Sequence, residues 1–303
     1  VNGDGPTIGD GIARHPDIDM VSFTGSTGAG IAVAKSAADT VKRVSQELGG
    51  KSANLILADA DLEAAVRHGV SSCFRNSGQS CNAPTRLLVP RAQQQAVIEI
   101  ARQVLAQVCY DDSHPTTAIG PVANALQFER VQTMITQAIA DGSRLIAGGP
   151  GRPQGIERGY YVQPTIFADV TPDMRVAQDE IFGPVLAIMP YDSEAQAWDL
   201  VRRGDGSLVA SVYSADPGFI ARAATELADS HGRVHAISPD VATSQTGHGN
   251  VMPQSMHGGP GRAGGGEELG GLRALGFYHR RSAVQAGTAA LDALAATAAP
   301  LPR

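Results

Sequence analysis

The 303-residue chain is poor in cysteine, poor in aromatics and has no excess of positive charge. Its three cysteines, Cys73, Cys81 and Cys109, are too few and too scattered for a disulfide scaffold. No CxxC or His/Cys pair falls at a zinc-binding interval, so the expected metal content is none. This usage fits a reducing compartment, and the expected location is cytoplasmic. No uncharged apolar run approaches 18 residues, which excludes a membrane-spanning helix of the usual length. Lys and Arg number 24 against 30 Asp and Glu, a net charge of −6, which argues against a general nucleic-acid binder. The segment Val1 to Asp10 carries no apolar core of a secretory signal. The first residue is Val rather than Met, and the expectation is that the start of the protein lies elsewhere.

Apolar residues make up 43%, enough for a buried core and too many for a disordered chain. Glycine is in excess: 35 residues, where this length averages about 21. Eleven of them fall within the 30 residues from Gly247 to Gly276, where a regular helix or strand is not expected.

Upstream of that tract the pattern alternates. Strands are predicted at Val21–Phe23, Val41–Gln46, Asn54–Leu57, Arg86–Val89, Arg144–Ala147, Tyr160–Val162, Thr165–Phe167, Val185–Met189 and Leu208–Tyr213. Helices are predicted from Ile31 to Ala38, Asp61 to Asn76, Gln93 to Gln107, Gln127 to Asp141, Glu194 to Arg203 and Phe219 to Ser230, with an Ala-rich one over Leu291–Ala299. A polar loop is expected around 111–117. Strands alternating with helices imply an α/β fold with a largely parallel sheet.

Four segments carry candidate chemistry. Asn76-Ser77-Gly78-Gln79-Ser80-Cys81 places a cysteine on a Gly-containing loop, where backbone N–H groups or a nearby cation can favour the nucleophilic thiolate. The residue type alone better suits a small core side chain. Gln46-Glu47-Leu48-Gly49-Gly50-Lys51 puts a carboxylate at a strand end, either a general base or an exposed terminal acid. Phe23-Thr24-Gly25-Ser26-Thr27-Gly28-Ala29-Gly30 leads from a strand into a helix N-terminus, an anion site suited to pyrophosphate, though its glycines do not form GxGxxG. Asp179-Glu180-Ile181-Phe182-Gly183-Pro184 offers a carboxylate for ribose hydroxyls and an aromatic ring, or is a polar turn. Cys73, within a predicted helix, and Cys109, at a helix end, read as structural.

In this order, with Cys81 lying 34 residues after Glu47, the four segments resemble the aldehyde dehydrogenase superfamily from Val1 to about Asp192. The resemblance implies an aldehyde-dehydrogenase-like α/β fold, with a partial Rossmann-like cofactor domain and an α/β catalytic domain. It implies oxidation of an aldehyde or semialdehyde to a carboxylic acid with NAD or NADP. Cys81 would form the thiohemiacetal and then the thioester, with its own N–H on the oxyanion, and Glu47 would activate the hydrolytic water. Gly25 and Ser26 would meet the pyrophosphate, Leu48 the nicotinamide amide, Glu180 a ribose, and Phe182 the nicotinamide ring. The expected partners are a small-molecule aldehyde and further copies of the chain, with no nucleic acid and no membrane.

Two departures accompany the resemblance. The family's PWN and KP(S/A)E segments have no counterpart here, so the chain alone is expected to bind NAD(P)+ poorly. The expected division is 1–48 as a remnant of the dinucleotide-binding domain, 49–245 as the catalytic domain and 246–303 as a Gly-rich and oligomerisation segment. The ending, His257-Gly258-Gly259-Pro260-Gly261-Arg262-Ala263-Gly264-Gly265-Gly266-Glu267-Glu268-Leu269-Gly270-Gly271, resembles the branch acting on CoA-thioester semialdehydes in aromatic-degradation pathways. This tract is either a loop closing on the substrate mouth or a flexible connector. His248 and His257 lack carboxylate or cysteine partners at ligand spacing. Glu267 and Glu268 read as solvated, and Phe277 to Arg281 as a subunit-interface strand or a phosphate-binding pentamer. The competing functions are a non-catalytic relative and a cofactor-independent thiol esterase.

Overall fold

The computed structural model describes residues 1–110 and 118–297. The polar loop expected around 111–117 therefore lies outside the described residues. After α1 (Asp10–Arg14) come β1 (Met20–Gly25), α2 (Thr27–Ala37), β2 (Arg43–Leu48), β3 (Ala53–Ile56), α3 (Leu62–Phe74), β4 (Arg86–Pro90) and α4 (Gln94–Leu105). The chain continues through α5 (Ala125–Ala140), β5 (Arg144–Ala147), β6 (Thr165–Ala168), α6 (Arg175–Gln178), β7 (Val185–Tyr191), α7 (Glu194–Arg202), β8 (Ser207–Tyr213), α8 (Pro217–Leu227) and β9 (His231–Ile237). It ends with β10 (Met256–His257), β11 (Glu268–Leu269), α9 (Leu275–Tyr278) and α10 (Thr288–Thr297).

Seven strands form one sheet in the order β5-β6-β7-β4-β3-β8-β9, and only β5 runs antiparallel. Strands buried on both faces must be apolar throughout, and every residue of β8 is buried. Side-chain alternation divides the core. Leu88, Ala187, Phe167 and Val212 face α5, α7 and α8, while Leu87, Leu186, Ile188 and Ile166 face α3 and α4. Cys73 is fully buried in the second layer, as expected of a structural thiol. Helix starts follow local chemistry: Asp61 accepts from Ala64 N at 3.1 Å and Ser193 from Gln196 N at 3.2 Å.

The buried Arg86 ties two layers together. Its Nε donates to Lys51 O at 2.8 Å, and its two terminal nitrogens donate to Leu200 O and Val201 O, carbonyls of the last turn of α7, at 2.5 and 2.9 Å. Arg86→Ala removes the donor from the buried carbonyls of Lys51 and Leu200, while Val201 O keeps Gly204 N at 3.1 Å. It is expected to lower stability by about 3 kcal/mol or more, read as a fall in the urea midpoint at unchanged m-value.

Several predicted elements differ. Val41 is not in a strand: it is 91% exposed with φ of 51°, turning the chain so that β2 begins at Arg43. Tyr160–Val162 forms no ladder among the described residues, because Pro164, without an N–H, interrupts the approach to β6. α3 ends at Phe74, since Asn76 and Ser77 adopt left-handed conformations. Phe277 to Arg281 is not a strand but the end of the short α9 followed by exposed chain. α10 covers the described part of the Ala-rich helix, and the rest lies outside the described residues. β9 was not predicted.

Candidate active site

Glu47 and Cys81 precede the N-terminal ends of β3 and β4, so one edge of the sheet carries both. β1 and β2 form a separate parallel pair, and the register sets Thr24 beside Glu47 and Gly25 beside Leu48. The two motifs, whose paired residues are 23 apart in the chain, thus lie side by side. Glu47 is 5% exposed, and its Oε2 has no hydrogen-bond partner among the described residues.

The loop before Cys81 is held in strained backbone. Asn76 and Ser77 have φ of 54° and 57°, an arrangement that costs non-glycine residues about 1–2 kcal/mol each. Ser77 Oγ donates to Gly120 O at 2.7 Å and Asn76 Nδ2 to Gln79 O at 2.9 Å, which offsets part of that cost. Gly78, at φ of 70°, lies so close to Gly183 O that no Cβ fits between them. This approach seats the Cys81 loop on the Glu180–Pro184 segment.

Leu48, Glu180 and Phe182 lie around the same edge. Gly49 leaves room for the Glu180 carboxylate, which any Cβ would overlap. Burial raises the Glu180 pKa above the ordinary carboxyl value, against the opposing pull of Lys51 and Arg262. Lys51 is fully buried, donates from Nζ to Asp179 O at 2.8 Å, and is brought down to about 7, chiefly by desolvation. Phe182 is held at φ of 56° with its ring partly exposed. Leu48 is buried against Gly30 and Gly264. Ser26 caps α2 through Ala29 N at 3.3 Å, and Gly28 faces open space at the same helix end.

The Gly-rich tract is packed on this edge. Gly266 N donates to Gln46 O at 2.9 Å, Thr27 Oγ1 to Arg262 O at 2.9 Å, and Arg262 to Gln178 O at 2.6 Å. Glu267 and Glu268 are exposed, as expected. Its histidines enter the interior. His248 Nε2 donates to Asn82 O at 2.7 Å, so its Nδ1 is free to accept from Ser211 Oγ at 2.6 Å. Asn82 Nδ2 in turn donates to Gly249 O at 3.1 Å. The residue after Cys81 is thereby clamped from both sides by the tract.

His257 is the residue that motif reading missed. Its Nε2 lies 3.2 Å from Glu47 Oε1 and 4.0 Å from Cys81 Sγ. Contact with Cys81 first, and Glu47 second, raises its pKa to about 10. The expectation that His257 lacks carboxylate and cysteine partners is corrected: linear spacing does not report proximity between segments 176 residues apart. A cavity of about 230 Å³ at the C-terminal ends of β8 and β9, lined by His68, Tyr213 and Ile237, is removed from this group.

A thiol on a glycine-containing loop, a carboxylate near the end of β2 and an imidazole in β10, gathered at one end of a parallel α/β sheet, define a thiol-bearing α/β protein with an enzyme-like site. The sequence matches the aldehyde dehydrogenase family over residues 1–284. The chain belongs to that family. It is 55% identical over 198 residues to a 3-succinoylsemialdehyde-pyridine dehydrogenase of a Pseudomonas species, covering 65% of this chain and 42% of that protein. Its fold is similar to a crystal structure of an aldehyde dehydrogenase C variant from Pseudomonas syringae in complex with NAD+ and octanal, with a TM-score of 0.82 and 45% identity, covering 89% of this chain and 53% of that one. An NAD+ complex of a Bacillus cereus aldehyde dehydrogenase matches with a TM-score of 0.80 at 35% identity, over 89% and 52% of the two chains. The chain spans about half the length of these relatives.

Proposed function

We propose that the protein oxidises an aldehyde or semialdehyde to a carboxylic acid, with Cys81 as nucleophile and Glu47 as general base. The observation that carries this reading is the convergence of Cys81, Glu47 and His257, with Glu47 paired to Thr24 on the strand that leads into α2. NAD or NADP fits the residues present. Gly25, Ser26 and the open α2 N-terminus suit a pyrophosphate, Glu180 a ribose, and Leu48 and Phe182 the nicotinamide end. When bound, the cofactor supplies the hydride acceptor. The Cys81 thiolate adds to the aldehyde carbon, and its own backbone N–H faces the oxyanion. Oxidation leaves a thioester on Cys81. Glu47 takes a proton from the water that hydrolyses it. Residues 1–48 would serve the cofactor, and residues 49–245 the covalent chemistry.

A thiol esterase is a second reading, favoured by the imidazole beside the thiol. Incubation of the chain with an aliphatic aldehyde and millimolar NAD+ or NADP+ is expected to generate NAD(P)H. Cleavage of a p-nitrophenyl ester without any NAD(P)H would support the esterase instead. Neither product would leave a non-catalytic relative.

A further inference from the structure

The geometry points to a zinc-binding site formed by Cys81 Sγ, His257 Nε2 and Glu47 Oε1, whose occupation by Zn2+ blocks the nucleophile reversibly. The metal site stands on the donor set alone, and the blocking of catalysis rests on the role proposed for Cys81.

One ligand atom from each of these residues lies within 4.8 Å of the other two. The measured edges are 3.2 Å between the carboxylate oxygen and the imidazole, and 4.0 Å between the imidazole and the sulfur. Tetrahedral zinc with bonds of about 2.0–2.3 Å places neighbouring donors about 3.4–3.6 Å apart. The two edges at the imidazole differ from this by roughly half an ångström or less, and the carboxylate–sulfur edge, at most 4.8 Å, by about 1.2 Å at most, so side-chain rotation brings all three into its shell. Thiolate with imidazole selects zinc over magnesium or calcium, which take oxygen donors. Three protein ligands leave the fourth position to water, the arrangement of an open site.

Two features make this more than a chance meeting of side chains. The Glu47 carboxylate is buried, with Oε1 facing His257 Nε2 and Oε2 without a hydrogen-bond partner among the described residues, so its capacity to accept is only part used at the cluster. The backbone behind His257 is also fixed. β10 pairs with β11, and Gly258 and Gly259 pack against Gly232 and the start of β8 so closely that a Cβ on Gly232 or Gly259 would meet backbone. Binding converts the thiol to a thiolate and displaces any imidazole Nε2 proton, both released to solvent. Because the sulfur that bonds the metal is the sulfur proposed to attack the aldehyde, metal occupancy and covalent catalysis exclude each other.

Cobalt(II) titration of the chelator-treated chain tests the site. One equivalent is expected to bind per chain, with a thiolate-to-cobalt charge-transfer band in the near ultraviolet and visible bands of four-coordinate intensity. Zn2+ is expected to bleach both. Cys81→Ser is expected to lose the near-ultraviolet band. His257→Ala is expected to weaken binding at least about tenfold. Circular dichroism on each variant separates loss of ligands from loss of fold, and the wild-type titration stands independently of them. No cobalt binding to the wild-type chain at micromolar concentration would overturn the inference. So would a near-ultraviolet band that persists in Cys81→Ser, which would assign the sulfur to another cysteine. Because every readout is spectroscopic, failure here leaves the aldehyde oxidation assay untouched, and failure of that assay leaves the metal site untouched.

Discussion

Cys81→Ala is expected to reduce NAD(P)H formation from an aldehyde to background, a loss of at least about 10⁴-fold. The size follows from the role proposed for the sulfur: without a covalent adduct, hydride would have to leave an unactivated aldehyde hydrate. Glu47→Gln gives the contrast. The amide cannot take a proton from water, so steady-state turnover is expected to fall about 10²–10⁴-fold. The first turnover needs no water and should survive. Stopped-flow absorbance should therefore show one equivalent of NAD(P)H per Glu47→Gln chain and then a stall, with an acyl group on Cys81 visible by mass spectrometry. A variant that turns over at the parent rate would remove Glu47 from the hydrolytic step.

Stability is expected to fall steeply below pH 6.5. Burial holds His248 and His231 near 3 and His235 near 4, with nearby cations adding to the shift: Arg86 at His231, and Arg233 at His235 and His248. These imidazoles are neutral in the folded chain, whereas the unfolded chain binds their protons from about pH 6.5 downward. The unfolded state therefore holds more protons between the two values, and stability rises with pH across that window. It is fully present above pH 6.5 and lost as the pH drops toward 4. The two buried histidines, His231 and His248, each contribute a slope of about 1.4 kcal/mol per pH unit, roughly 4 kcal/mol together by pH 5, comparable with the whole stability of a marginal domain, and the less buried His235 adds less. Urea midpoints at intervals from pH 7.5 to 5 would measure it. A flat profile would mean that the histidines are solvated in solution. At His248 burial outweighs the Asn82 O that Nε2 donates to, which by itself favours protonation, and a proton on Nδ1 would also displace the Ser211 hydroxyl proton that it accepts.

Much of this was legible in the chain, for reasons that differ by residue. The α/β alternation could be read because the central strands are apolar on both faces, as in the run Leu208 to Tyr213. Glu47 and Cys81 stood out because each sits in a short segment whose glycines have local work, Gly49 beside Glu180 and Gly78 beside Gly183. β9 was missed because His231, Gly232, Arg233 and His235 break its apolar pattern. An outer strand with partly buried central residues tolerates such a sequence, since only part of its surface faces the core. The left-handed Asn76 and Ser77 left no local sign that the helix would stop short. His257 was invisible for another reason. Nothing in its own segment calls for a thiol or a carboxylate, and its partners come from the opposite part of the chain.

The joining of Cys81 to the Gly-rich tract also bears on the order in which the molecule assembles. The contacts Asn82–His248 and Cys81–His257 close loops of 166 and 176 residues. The β3–β8 ladder closes a loop of similar length, 157 residues between Ala53 and Ala210, so these contacts are expected to form with or after the central sheet rather than before it. The sheet with its cysteine loop can be native in every local respect while the imidazole is still absent. Competence is then a property of the last step of chain closure.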